Sequence, residues 1–174
     1  MRAFPLLAAL SLLIALEIAA QPLSSATDLM AEAKFKAVAE HKNIFIRFGS
    51  SACGWCRKLD KILEVEEVHQ VFEKYFVPVT LVVMENDETK INPGGKELLE
   101  QLGGLRSGLP FFAFVDSEGK MIVSSNTDGK SGNIGCPATK AEIEWFLKMI
   151  RKAAPDVTDT ELKAIEDVLN KPKR

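Results

Sequence analysis

Ile44-Phe45-Ile46-Arg47-Phe48, Gly49-Ser50-Ser51-Ala52 and Cys53-Gly54-Trp55-Cys56-Arg57-Lys58-Leu59 form the stretch that decides the fold. The first five residues are a mostly apolar run suited to a central strand buried on both faces, with Arg47 as its anomaly. From Cys53 a helical pattern runs towards Tyr75, with Leu59, Ile62, Leu63, Val68, Val71 and Phe72 on the period of a core-facing stripe. A bend is expected inside it, near Val65 to Glu67. Two cysteines separated by two residues at a helix start form a dithiol that can open and close as a disulfide, so the first reading is redox chemistry.

Outward from this stretch the chain alternates helices and strands. Asp28 is expected to cap a helix from Leu29 to His41, with Met30, Ala33 and Ala37, joined by Phe35 and Val38, as its apolar face. Phe76 to Met84 is rich in β-branched residues and reads as a strand, with Pro78 marking a start or edge position. A short helix from Lys96 to Leu102 ends at Gly103-Gly104. Phe111 to Val115 and Met121 to Ser124 flank Asp116-Ser117-Glu118-Gly119 as a hairpin. A loop rich in Gly, Ser and Asn follows. Thr139 and Glu142 form a capping box for a helix carrying Ile143, Trp145, Phe146, Leu147 and Ile150. A last, highly charged helix from Asp159 to Leu169 reads as a surface appendage.

The chain has 174 residues, 47% of them hydrophobic, and a net charge of −2. This fits one domain with a real core and excludes a disordered protein. No basic stripe recurs, so nucleic acid is not an expected partner. At the start, Arg2 precedes the apolar run Leu6 to Leu16, which reads as a secretory signal cut after Ala20, or as late as Ala26. An uncleaved membrane anchor is the alternative. The run is short for a span, which needs about 20 apolar residues. The expected organisation is a signal over residues 1–20, a domain over 26–152 and a helical extension over 153–174. Export would carry the chain to a periplasmic or extracellular compartment where disulfides persist.

Cys53-Gly54-Trp55-Cys56, Gly108-Leu109-Pro110 before a strand, and the order of elements between them resemble the thioredoxin-like family. The resemblance covers Ala26 to Lys152 and is nearest to exported single-domain members with a Trp-Cys-(Arg or Lys)-Lys-Leu run, here Trp55 to Leu59. It implies an α/β thioredoxin-like fold, with a central mixed β-sheet flanked by helices. It also implies a cis Leu109-Pro110 bond that turns the backbone of Leu109 towards a bound substrate strand. No organic cofactor or metal is implied.

Cys53 at a helix amino terminus meets unpaired N–H groups that favour a thiolate, so it is the expected nucleophile. Cys56, one turn on and directed inward, is the expected resolving thiol. Trp55, Leu109 and Pro110 are the expected substrate contacts. Two other readings of the cysteines exist. A zinc site would need two more ligands from Cys136, His41 and His69, which are not spaced as a ligand pair. An inert staple closing four residues would stabilise little.

Thioredoxins carry a buried acid six residues before the nucleophile, where this chain has Arg47. Arg47 either points towards the dithiol and favours its thiolate, or snorkels outward. The tryptophan that thioredoxins place shortly before the motif is replaced by Gly49-Ser50-Ser51-Ala52, and Gly54-Trp55 stands for their Gly-Pro. Cys136 reads as a small, semi-buried side chain in a turn, with a second redox role as the alternative. His41 and His69 read as surface residues.

The expected function is thiol-disulfide exchange between the Cys53/Cys56 dithiol and cysteines of exported proteins. The reducing direction is favoured because no inserted helical domain is evident. A membrane redox protein would reset the dithiol of this monomer. The alternatives are an oxidant, a disulfide isomerase, or a non-catalytic thioredoxin-like binding or chaperone module.

Overall fold

The computed structural model describes residues 23–127 and 132–171. The apolar run Leu6 to Leu16 and the expected cut after Ala20 lie outside the described residues. Elements follow as α1 (Ala26–Glu40), β1 (Asn43–Gly49), α2 (Gly54–Leu63), α3 (Glu66–Tyr75) and β2 (Phe76–Val82). After a single 3-10 turn come α4 (Gly95–Gln101), β3 (Phe111–Val115), β4 (Met121–Ser124), β5 (Asn126–Thr127), β6 (Gly132–Asn133), α5 (Lys140–Ala153) and α6 (Asp159–Asn170).

The main sheet has the order β2-β1-β3-β4, with β1 and β2 parallel and the other neighbours antiparallel. Strand alternation sends Ile44, Ile46 and Phe48 to a core with α1 and α4, and Phe45 to a second core with α3, α5 and α6. Phe111, Ala113 and Val115 join the first core; Phe112 and Phe114 join the second. Both faces are covered, which explains the near-continuous apolar runs.

Several local expectations change. Ser25, not Asp28, caps α1: its hydroxyl oxygen accepts the Asp28 N–H at 3.1 Å and its O–H donates to the Asp28 carboxylate at 2.7 Å. Phe35 and Val38 are 79% and 61% exposed. The buried stripe is Ala26, Met30, Ala33 and Ala37, and Phe35 sits about 140° round the helix from Met30. The expected bend is a full break, with Val65 at the N-cap position of α3 and no side-chain cap there. The capping box of Thr139 and Glu142 is formed.

The charged terminal helix is no appendage. α6 buries Ile165 and Leu169 in the second core, and its own capping box joins Thr158 to Glu161. Lys74 of α3 donates to Glu161 at 2.8 Å, and the Tyr75 hydroxyl donates to the same carboxylate at 3.0 Å.

β2 is an edge strand, as Pro78 suggested. At its end the Val82 N–H donates to Asn92 Oδ1 at 2.6 Å, and the Asn92 N–H donates to the Val82 carbonyl at 3.0 Å. At the other edge the Trp145 indole donates to the Ser124 carbonyl at 3.3 Å.

Candidate active site

Three strand ends meet at one side of the sheet. β1 and β2 run in parallel to Gly49 opposite Val82, while antiparallel β3 enters with Phe111 opposite Phe48, so Pro110 falls one step on, level with Gly49. The chain leaves β1 through Ser50 to Ala52 and enters α2 at Cys53. The sheet thus delivers the dithiol, the loop after β2 and the Leu109-Pro110 step to one place.

Cys53 occupies the N-cap position of α2, and its sulfur accepts the backbone N–H of Cys56 at 3.0 Å. Cys53 and Cys56 are joined as a disulfide. Burial separates the two sulfurs: Cys53 is partly exposed, whereas Cys56 is only 5% exposed. The side chain of Cys56 faces Gly49, where an added Cβ would lie 3.5 Å from its sulfur. Trp55 is 55% exposed, with the Lys58 ammonium 4.6 Å from its ring centre.

The turn before the dithiol is held from two sides. Glu85 accepts from the Ser51 N–H and, at 2.8 Å, from the Ser51 hydroxyl. Arg57 donates to the Ser51 carbonyl at 2.6 Å. The two Ser51 donors hold the Glu85 carboxyl below its ordinary value.

Leu109-Pro110 is a cis peptide bond, with Leu109 half-buried and Pro110 buried. Asn133 clamps this loop. Its amide nitrogen donates to the carbonyls of Ser107, Gly108 and Pro110 at 2.9, 3.2 and 3.0 Å, and its oxygen accepts the Gly135 N–H at 3.0 Å.

Beneath Cys56 lies a cleft of about 510 Å³. Cys56 forms part of its wall, with Arg47 from β1, Arg57 and Asp60 from α2, and Glu85 and Lys90 from the segment after β2. Arg47 shares the strand face of Phe45 and so turns towards α2, where its guanidinium pairs with Asp60 and donates to the Thr80 hydroxyl at 3.0 Å. Burial pushes the guanidinium below its ordinary value, and Glu64 opposes this. Cys136 is buried in the second core beside Ile134 and Phe112, and His41 and His69 are exposed.

Asp60, Glu85 and Asn133 were not singled out in the sequence. Asp60 carried one signal, its place one turn after Cys56 on the same helix face. Glu85 lies in the irregular segment after β2 and Asn133 in the two-residue strand β6, and the partners of both come from distant parts of the chain.

A family model described as thioredoxin-like matches residues 25–117, more than half of the chain. The chain belongs to the thioredoxin-like family. With a disulfide-forming Cys53–Cys56 pair in place, this thioredoxin-like protein is a thiol-disulfide oxidoreductase. Among solved structures, it is similar to a disulphide isomerase from Xylella fastidiosa Temecula1, at 20% identity and a TM-score of 0.53, over 88% of this chain and 98% of that one. It is also similar to the oxidised C-terminal domain of DsbD from Neisseria meningitidis, at 21% identity and a TM-score of 0.48, over 74% and 99% of the two chains. At these identities the likeness is one of fold. No curated protein matches the chain in sequence.

Proposed function

We propose that the thioredoxin-like protein reduces disulfides in exported proteins, with Cys53 as the attacking sulfur and Cys56 as the resolving thiol. The Cys53 thiolate attacks one sulfur of the substrate disulfide and releases the other as a thiolate. Cys56 then loses its proton and attacks the Cys53 sulfur. The mixed disulfide breaks, the second substrate thiol leaves, and the Cys53–Cys56 disulfide closes. Two electrons pass from protein to substrate, and a membrane redox protein returns them.

The observation that carries this reading is the position of the Cys53 sulfur, partly exposed at the helix cap and accepting the Cys56 N–H at 3.0 Å. That donor and the helix dipole favour a negative sulfur in the reduced state. Trp55, Leu109 and Pro110 supply the substrate contacts in this proposal, consistent with an exposed indole beside the dithiol and a Leu109-Pro110 step level with Gly49. Compactness supports the reducing direction: the helices between β1 and β3 are the short α2, α3 and α4. Export rests on the apolar run Leu6 to Leu16, and no described helix is long and apolar enough to cross a membrane. Of the two cleavage points, the one after Ala20 keeps the Ser25 cap and the buried Ala26 in the mature chain.

Insulin reduction by the wild type and by Cys53→Ser and Cys56→Ser variants tests the chemistry. Both variants are expected to lose turnover, and Cys56→Ser is expected to trap mixed disulfides on Cys53. Binding that survives both changes with no turnover in the wild type would indicate a docking module instead. Equilibration with glutathione tests the direction: a potential near about −270 mV supports a reductant, and one near about −120 mV overturns it.

A further inference from the structure

The cleft under Cys56 contains an ion pair that the exchange scheme does not use. Arg47 is the one charged residue of β1, and it lies on the face that looks at α2. Its partner Asp60 stands four residues after Cys56 on α2, so the two side chains are neighbours on one helix face. Arg47, Asp60 and Cys56 line the same cleft. The remaining charged groups there have other engagements: Glu85 holds Ser51, and Arg57 donates to the Ser51 carbonyl. Lys90 lies 3.4 Å from Asp87; outside the cleft, Glu64 acts on Arg47 from the end of α2.

We propose that Arg47 and Asp60 form a charge-compensated pair that sets the ionisation of Cys56, with Asp60 cancelling the attraction that Arg47 would exert on a thiolate. The inference rests on the exchange function proposed above and assigns positioning roles to both residues. Cys56 is buried, and the resolving step needs its thiolate. Its proton must leave before the sulfur can attack Cys53. A lone guanidinium in the cleft that Cys56 lines would favour the thiolate, and a lone carboxylate there would oppose it. Together they leave a short dipole whose net field is small. The chain thus places a charge in the strand position ahead of the dithiol and neutralises it from the helix.

The two single variants should therefore act in opposite senses. Asp60→Asn exposes the Arg47 charge, while Arg47→Met leaves Asp60 alone. A neighbouring unit charge shifts an ionisation constant by about tenfold to a thousandfold, and the partial exposure of Asp60 puts this pair at the lower end. Mere loosening of the structure gives a different signature. Admitting water to Cys56 would favour its thiolate in both variants.

The test is titration of the reduced full-length protein carrying cysteine labelled with carbon-13 at Cβ, followed by NMR so that Cys53, Cys56 and Cys136 are read separately. Asp60→Asn is expected to raise the ionisation constant of Cys56 about tenfold, and Arg47→Met to lower it about tenfold. The double variant should return to within about threefold of wild type, and Arg47→Lys should stay near wild type. A same-sign shift in both single variants, or no shift in Asp60→Asn, overturns the proposal; should Arg47→Met fail to fold, Asp60→Asn and Arg47→Lys decide it. Insulin turnover is measured beside the titration. Turnover with an unmoved Cys56 defeats the pair alone, whereas opposite shifts without turnover defeat the exchange reading and leave the electrostatics standing.

Discussion

Glu85 accepts both the backbone N–H and the hydroxyl of Ser51, so one carboxylate ties the segment after β2 to the turn that carries the dithiol. Glu85→Ala should leave the fold intact and speed amide exchange at Ser51 about tenfold or more, read by hydrogen-deuterium exchange. The bonds hold the Glu85 carboxyl below its ordinary 4.5, so its contribution is present above that value and is lost as pH falls through the lower folded value. Protection of Ser51 in the wild type should fall with it, while the variant stays flat. Equal exchange in the two proteins at neutral pH would sink this role.

Asn133 fixes the loop from Ser107 to Pro110 through three carbonyls. Asn133→Ala removes these bonds and the acceptor for Gly135, at a cost of about 2–3 kcal/mol in urea unfolding. Where the loop contacts substrate, KM for a disulfide peptide should rise several-fold with kcat nearly unchanged. A fall in kcat at constant KM would contradict that assignment.

The docking of α6 has its own test. Ile165 is fully buried among side chains of the second core, so Ile165→Ala should cost about 2–4 kcal/mol. Loss should occur in a single unfolding transition, because the helix shares the core. An early, separate transition would show that α6 folds on its own.

Glu161 gives that docking a pH dependence. The Lys74 ammonium, aided by Thr158 and Tyr75, lowers its carboxyl from 4.5 to about 2. Stabilisation from a lowered carboxyl is complete above 4.5 and disappears as pH falls towards 2. Solvent screening limits it to about 1 kcal/mol. Urea midpoints measured from pH 6 to pH 2 should therefore fall less steeply across this window in Glu161→Gln than in wild type.

The parts of the fold legible in the sequence carry strong local signals. The apolar run of β1, the helix opening at Cys53, the β3–β4 hairpin and the capping box at Thr139 each follow from spacing within a few residues. Ser25 and Asp28 are both good caps, and only the docked position of α1 distinguishes them. Phe35 and Val38 are apolar but fall off the stripe that the sheet selects. In α6 the charges conceal a narrow apolar line of Leu162, Ile165, Val168 and Leu169. At the site, the cysteine pair was legible because its spacing is itself the chemistry. Asp60, Glu85 and Asn133 act through partners chosen by the tertiary fold, and the order of residues does not display those.

Pro78 and Asn92 have a consequence beyond the outline of the sheet. Pro78 offers no N–H on the outer side of β2, and Asn92 imitates a neighbouring strand at Val82 by giving and taking one hydrogen bond each. An extended chain approaching this edge therefore finds no continuous row of backbone partners. At this border an incoming extended chain meets a broken ladder, which disfavours templated growth from β2.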